Sequence, residues 1–134
     1  MPLLTYICPC LNNLKGLRIT VDSFLSVNNI DFNLLIVDGS SSDGSVEYLS
    51  EICFKYSRIR FFSGHDSSLY EAINRGIAAI DSGYIGIIGS GDIFTPNSFT
   101  QGFFSFLQDS LSILPHPIIA GSILRSSPFS GQHV

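Results

Sequence analysis

The chain predicts an α/β fold: one domain with a mostly parallel sheet and helices on both faces. Three observations carry this. Short apolar runs of strand length alternate with stretches whose apolar residues recur at helical spacing, in βαβαβαβαβ order. Its 134 residues suffice for one core and not for two. Hydrophobic residues make up 45% and charged residues 13%, the balance of a packed chain rather than a disordered one. Right-handed crossovers put every strand-to-helix loop on one edge of such a sheet. The loops holding Asp38, Asp66 and Asp92 should therefore meet there, where open α/β sheets bind ligands.

Leu3 to Cys8 is strand-like, and Pro9, lacking an N–H for a ladder, should end the strand. Asn12 or Asn13 can cap the helix that follows. Its inner stripe reads Leu14, Leu17, Val21, Phe24 and Leu25, and Asn28-Asn29 should break it. Phe32 to Val37 is the next strand. Ser40 to Gly44 is a polar loop, after which Val46, Leu49, Ile52, Cys53 and Tyr56 share one helical face. Arg58 to Phe62 is a short strand. A third helix runs from about Leu69 to Ile80, with Ala72, Ile73, Gly76, Ile77 and Ile80 inward.

Gly83 to Phe94 is the stretch around which the rest is expected to be built. Tyr84 to Ile88 is an apolar run bounded by glycines and predicts a central strand buried on both faces. Gly89-Ser90-Gly91 then bends the chain to Asp92. An unpaired carboxylate is costly in a core, which places Asp92 at the strand's carboxyl end, facing a crevice. Gly-Asp is also ordinary turn chemistry, and on this stretch alone Asp92 reads at least as well as a turn cap. Thr95-Pro96 predicts the start of a fourth helix reaching about Asp109, with Phe99, Phe103, Phe106 and Leu107 as its stripe. Pro115 and Pro117 end any helix, Ile118 to Leu124 reads as a further strand, and Ser126 to Val134 as a frayed tail.

Net charge is −4 and no Lys/Arg cluster exists, which argues against a nucleic-acid polymer as partner. A nucleotide is compatible, because a metal ion and backbone N–H groups can neutralise phosphates. The low charge suggests a surface covered by further chain, a partner or a membrane surface. Cys8, Cys10 and Cys53 are an odd number and read as core thiols rather than a disulfide framework. Neither a signal-peptide pattern nor a run of about 20 apolar residues is present. The expected compartment is the cytoplasm, with the inner face of the membrane as a further location.

Asp38 closes an apolar strand. A carboxylate there can accept a base N–H while Gly39 lets the backbone approach a ligand; an Asx-turn capping the next helix is an equally good reading. Asp66 reads either as a ligand contact or as an N-cap, and Arg75 as a solvated charge. Asn74 has poor helix propensity, so a side-chain hydrogen bond to a neighbouring loop is expected. Asp92 is the best metal-ligand candidate, since Mg²⁺ typically takes one or two carboxylates plus substrate phosphates.

Four ordered blocks resemble glycosyltransferase family 2, whose members use nucleotide-diphospho-sugars. They are Cys8-Pro9-Cys10-Leu11-Asn12, then Val37-Asp38-Gly39-Ser40-Ser41-Ser42-Asp43-Gly44, then Asp66-Ser67-Ser68-Leu69-Tyr70-Glu71-Ala72-Ile73-Asn74-Arg75-Gly76, and Gly83-Tyr84-Ile85-Gly86-Ile87-Ile88-Gly89-Ser90-Gly91-Asp92. The resemblance runs from about residue 3 to about residue 124. It implies a Rossmann-like GT-A domain holding the donor, without the C-terminal acceptor part. The implied reaction transfers a sugar from a UDP-like or GDP-like donor to a glycan or lipid-linked acceptor, as in polysaccharide biosynthesis. Asp38 would recognise the nucleobase, with Pro9, Cys10, Leu11 and Asn12 lining its pocket beside Gly39. Asp66 would sit near base and ribose, with Asn74 on the helix behind it. Ser90 and Gly91 would lead to Asp92, which holds the Mg²⁺ or Mn²⁺ that bridges the diphosphate and neutralises the leaving group.

The chain also departs from the family pattern. Leu11 replaces the usual aromatic at the base pocket, Ser68 replaces a glycine, and Ser90-Gly91-Asp92 keeps one carboxylate of the metal motif. An inverting transferase needs a general base, which in the family lies beyond residues 118–124. Asp109 is the only acid after Asp92, and His116 and His133 are poor substitutes, so the catalytic base is unknown. The competing expectation is a catalytically incomplete homologue acting as a nucleotide-binding or homo-oligomeric module, with Phe99, Phe103 and Phe104 as its association surface. A response-regulator-like domain fits less well, because Lys15 and Lys55 both fall in helices and no lysine follows a late strand.

Overall fold

The computed structural model describes residues 2–113. Strand β1 (Leu4–Cys10) pairs in parallel with β2 (Phe32–Asp38) on one side and β4 (Tyr84–Ile87) on the other. Strand β3 (Ile59–Ser63) adds outside β2, giving the order β3-β2-β1-β4, all parallel. Helices α1 (Leu14–Leu25), α2 (Ser45–Lys55) and α3 (Leu69–Ala78) make the crossovers. After β4 come a 3-10 turn, Pro96–Ser98, and α4 (Gln101–Ile113). The sheet with helices on both faces is as expected.

The core lies mostly on one face. Leu34 and Ile36 of β2 meet Leu17, Val21 and Phe24 of α1 and Leu49 of α2, all fully buried. Phe104 and Leu107 of α4 close the same cluster. Tyr6, Phe32, Phe94 and Phe99 are joined there by edge-on and stacked ring contacts of 4.9 to 6.0 Å, an arrangement that adds to simple burial. Among the described residues the other face carries α3 alone, with Ala72 over Ile7 and Val37. Small residues let it approach closely: a Cβ on Gly76 would lie 2.8 Å from Ile7 Cγ2.

Several expectations change. Pro9 does not end β1, which runs on to Cys10. The carbonyl of Ile7 accepts from Ile88 N, so odd positions of β1 turn their backbone toward β4. β4 has ended by the level of Pro9, and no ladder bond is lost there. Among the described strands β4 lies at the edge and β1 and β2 are the inner pair, and β4 is buried on neither face throughout: Ile85 and Ile87 are 40% and 43% exposed. They share a face with Thr5 and Ile7, their respective neighbours in register, but α3 packs mainly over β1 and β2. For the same reason Ile77 faces solvent at the flank of α3. Helix α1 stops at Leu25, before Asn28-Asn29. Thr95-Pro96 opens only the 3-10 turn, and Thr100 Oγ1 accepts from Phe103 N at the first turn of α4. Phe104 is buried and Phe106 exposed, so the inner stripe is Phe103, Phe104 and Leu107, and Phe104 is not available for self-association. The strand expected at residues 118–124 and the tail lie outside the described residues, as do His116 and His133.

Candidate donor-binding site

All four strands point the same way, so the segments after them share one rim. Asp38 ends β2, Asp66 follows β3, and Asp92 follows β4. Three strand spacings separate β3 from β4, about 14 Å across the rim.

The β1–α1 loop ties this rim together. Asn12 adopts a left-handed φ of 47°. Its N–H donates to Ser41 Oγ at 2.8 Å and its Oδ1 accepts from Ser42 N at 2.8 Å, joining it to the β2–α2 loop. Asn13 caps α1 by accepting from Gly16 N at 3.2 Å. Its Nδ2 donates to Ser90 O and Ser90 Oγ at 3.2 and 3.1 Å, joining the same loop to the turn after β4. Asp43 accepts from Leu14 N at 2.9 Å and from Ser45 Oγ at 2.6 Å. The Ser45 hydroxyl, followed by backbone donors, holds its carboxyl below the usual range.

A pocket of about 270 Å³ opens on the rim between the ends of β1 and β2 and the start of α3. Pro9, Cys10 and Leu11 form one wall, Gly39 another, and Asp66 with Ser67, Ser68 and Leu69 the third. A Cβ on Gly39 would touch Leu11 Cδ1 at 3.4 Å, so a larger residue would narrow the mouth. Leu11 and Leu69 are both more than half exposed and offer apolar sides to a flat ring. Burial pushes the Cys10 thiol up, keeping it a neutral wall group.

Five of the expected residues thus come together: Pro9, Cys10, Leu11, Gly39 and Asp66. Others do not. Asn12 is a staple between loops, not a wall. Asn74 is exposed on α3 and makes no hydrogen bond to a loop among the described residues. Asp38 is fully buried, between two residues that line the pocket, and its carboxylate serves its own surroundings. Ser41 N and Ser63 Oγ donate to Oδ2 at 2.9 and 2.7 Å, and Ser41 Oγ donates to Oδ1 at 2.5 Å. Asp38 thus holds its own loop and the end of β3 together, and it does not cap α2, whose N-cap is Gly44.

Asp66 is not an N-cap: Ser68 caps α3, accepting from Glu71 N at 3.2 Å. Arg75 is not a solvated charge either. Its guanidinium pairs with Asp66 Oδ1, donates to Gly64 O at 3.3 Å, and lies 5.1 Å from the Phe62 ring centre.

The turn after β4 is closed by Asp92 N donating to Gly89 O at 3.0 Å, with Gly91 at φ 101°, a conformation that glycine takes without strain. Asp92 is 8% exposed, and its Oδ2 accepts from Gly89 N at 3.2 Å. Thr20, fully buried on α1, donates to Asp92 O at 2.7 Å and accepts from Gly91 N at 2.9 Å. Asn13 and Thr20 escaped the sequence reading as site residues. For Thr20 the signal was polarity inside an otherwise apolar helical stripe, and Asn13 was legible only as a helix cap. Among the described residues no group of three or more His, Cys, Asp or Glu converges as a metal set. Asp92 is the one carboxylate of this turn, so a divalent cation here fits only if a ligand supplies most of its oxygens.

The model of glycosyl transferase family 2 matches residues 5–120. A chondroitin synthase of Pasteurella multocida is 25% identical over 109 residues, covering 81% of this chain and 11% of that protein. An uncharacterized glycosyltransferase of Rickettsia felis is 31% identical over 110 residues, covering 82% and 18%. The chain thus spans less than a fifth of these relatives' length. Among solved structures, the mannosyltransferase PcManGT of Pyrobaculum calidifontis, in complex with GDP-Man and Mn²⁺, has a TM-score of 0.65 at 14% identity. It covers 72% of this chain and 30% of that one. S. aureus TarS 1–349, in complex with UDP-GlcNAc, has a TM-score of 0.64 at 15% identity, covering 84% and 30%. These two likenesses bear out the GT-A architecture.

Proposed function

From the premise that the chain belongs to glycosyl transferase family 2, we propose that it holds the nucleotide-sugar donor of a glycosyl transfer to a glycan or lipid-linked acceptor. One observation carries the reading: a pocket walled by Pro9, Leu11, Gly39 and Asp66 shares a rim with the turn that presents Asp92. The nucleobase lies in the pocket, and the diphosphate runs along the rim toward Asp92. Support comes from the folds of two structural neighbours, one holding GDP-Man with Mn²⁺ and the other UDP-GlcNAc.

Asp92 is the residue that would hold a divalent cation, with the diphosphate supplying further oxygens. Such an ion neutralises charge developing on the departing nucleoside diphosphate. The chain's own residues do the rest. Thr20 and Asn13 keep the Asp92 turn in place, while Asn12 and Asp43 lock the β1–α1 loop that walls the pocket. The base that deprotonates the acceptor is not assigned.

Calorimetric titration with UDP and with GDP, each with Mn²⁺ and with EDTA, tests the reading. At least one nucleotide should bind, with Mn²⁺ strengthening it. Asp92→Ala should weaken the metal-dependent binding at least about tenfold, ~1.4 kcal/mol. Absence of binding by both nucleotides, or an Asp92→Ala variant that binds as the wild type does, overturns it.

A further inference from the structure

The segment after β4 runs along one side of α1. Asn13, Gly16, Thr20 and Ser23 follow one another at spacings of three and four, which places them on one face of the helix. The segment meets them in the same order. Asn13 Nδ2 donates to Ser90 O and Ser90 Oγ. A Cβ on Gly91 would stand 3.8 Å from Gly16 Cα, so the two backbones come together there. Thr20 Oγ1 accepts from Gly91 N and donates to Asp92 O. Ser23 Oγ donates to Thr20 O at 2.8 Å and accepts from Phe94 N at 2.9 Å.

Two of these residues are odd for a helix. A threonine hydroxyl inside a helix commonly bonds its own backbone; that of Thr20 reaches across to the turn instead. Gly16 is a weak helix former, and what crosses it accounts for its presence. A Cβ there would lie 2.4 Å from Asn13 Nδ2. The Asn13 amide thus occupies the space of that missing side chain on its way to Ser90.

Resting on the reading of Asp92 as the residue that would hold a divalent cation, we propose that Gly16, Thr20 and Ser23 are positioning residues for that site. Helix α1 presets the Asp92 turn before any ion arrives, and the metal dependence of nucleotide binding is set from the helix. The bonds of Asp92 N to Gly89 O and of Gly89 N to Asp92 Oδ2 fix the shape of the turn. The seam on α1 fixes where that shape stands on the rim. A single carboxylate leaves most of a cation's oxygens to the diphosphate, so its place must be held for the two to meet. A turn ordered in advance also loses less freedom on binding.

The test is calorimetry of the full chain with UDP and GDP, in Mn²⁺ and in EDTA, with urea midpoints alongside. Thr20→Val keeps the shape of the side chain and removes its hydroxyl. Gly16→Ala favours the helix and displaces the Asn13 amide from Ser90. Each should weaken binding in Mn²⁺ roughly five- to tenfold, the worth of about one hydrogen bond, and leave residual binding in EDTA as in wild type. Thr20→Ser should restore most of the loss. Gly16→Ala should show its loss at a urea midpoint no lower than that of wild type, and it decides alone should Thr20→Val not fold. Variants that bind as wild type does in Mn²⁺, variants that lose as much in EDTA, or a Thr20→Ser no better than Thr20→Val overturn the proposal and leave the donor site standing. Hydrogen exchange of wild type tests the presetting without any variant. The Gly91 and Phe94 amides, whose acceptors lie on α1, should be protected with neither ion nor nucleotide present. Protection that arises only when both are added refutes it. A wild type that binds neither nucleotide, or binds without regard to Mn²⁺, overturns the donor-site reading and this proposal together.

Discussion

The clearest division at the residue scale is between Asp38 and Asp66. Both sit in polar loops after apolar strands, and each could be read as a ligand contact or as local turn chemistry. The structure splits them by their partners. Asp38→Ala should strip three hydrogen bonds from Ser41 and Ser63 and cost about 3 kcal/mol, since two hydroxyls and an N–H lose their acceptor. Urea denaturation reads this directly. An unchanged midpoint together with lost nucleotide binding would instead return Asp38 to the role of ligand reader. That the loops after β2 and β3 meet was legible because strand ends in a parallel sheet share a rim, while Pro9 and Leu11 as pocket wall came from the family resemblance. Which carboxylate spends its lone pairs locally was not legible, since Ser63 and Arg75 reach Asp38 and Asp66 across gaps of 25 and 9 positions. No spacing rule records such a contact.

Helices and strands were legible as elements because their periods are local, but their anchoring was not. Leu17, Val21 and Phe24 were readable as the inner stripe of α1; Thr20, equally buried, breaks that apolar pattern because its hydroxyl holds the turn after β4. Asn13 joins two tasks, and Asn13→Asp separates them. The carboxylate still accepts from Gly16 N and suits a helix N-terminus, so the stability of α1 should hold. It cannot donate to Ser90, so the Asp92 turn should loosen. The expected result is a urea midpoint within about 0.5 kcal/mol of wild type with weakened Mn²⁺-dependent UDP binding by calorimetry. A full loss of stability would show that the Ser90 contact matters to folding instead. Asp43 links the starts of α1 and α2, and the Ser45 hydroxyl lowers its pKa. A depressed carboxylate contributes stability above its unfolded pKa, and that contribution is lost as pH falls through the folded one. Asp43→Asn should therefore flatten the acid side of the stability profile between about pH 5 and pH 2, measured as urea midpoints. An acid limb as steep as that of wild type would remove Asp43 from the linkage.

At the scale of the whole molecule, strand order decides what sequence patterns leave open. A glycine-bounded apolar run reads as doubly buried wherever it falls in a sheet. The run at β4 is not so, because α3 lies over β1 and β2 and β4 is at the edge among the described strands. The middle of the molecule is β1, and its thiols report on it. Cys8 is fully buried in β1, and burial pushes its pKa up. Cys53 is half-buried on α2, and burial pushes it up to about 11. At pH 8 only about one part in a thousand of Cys53 is then thiolate, the reactive form. Both thiols should react slowly with an alkylating reagent in the native protein, for different reasons. Cys53 needs only fraying of α2, a local event that exposes little surface. Cys8 needs β1 freed from both neighbours, which is unfolding of the sheet. Because the dependence on denaturant scales with the surface exposed, Cys8 labelling should rise with urea as steeply as global unfolding does. Cys53 labelling should rise with a distinctly shallower slope. Mass-spectrometric labelling across a urea series measures both in one sample. Equal slopes for the two thiols, both shallow, would mean that β1 opens without the rest and is not the strand on which this fold closes.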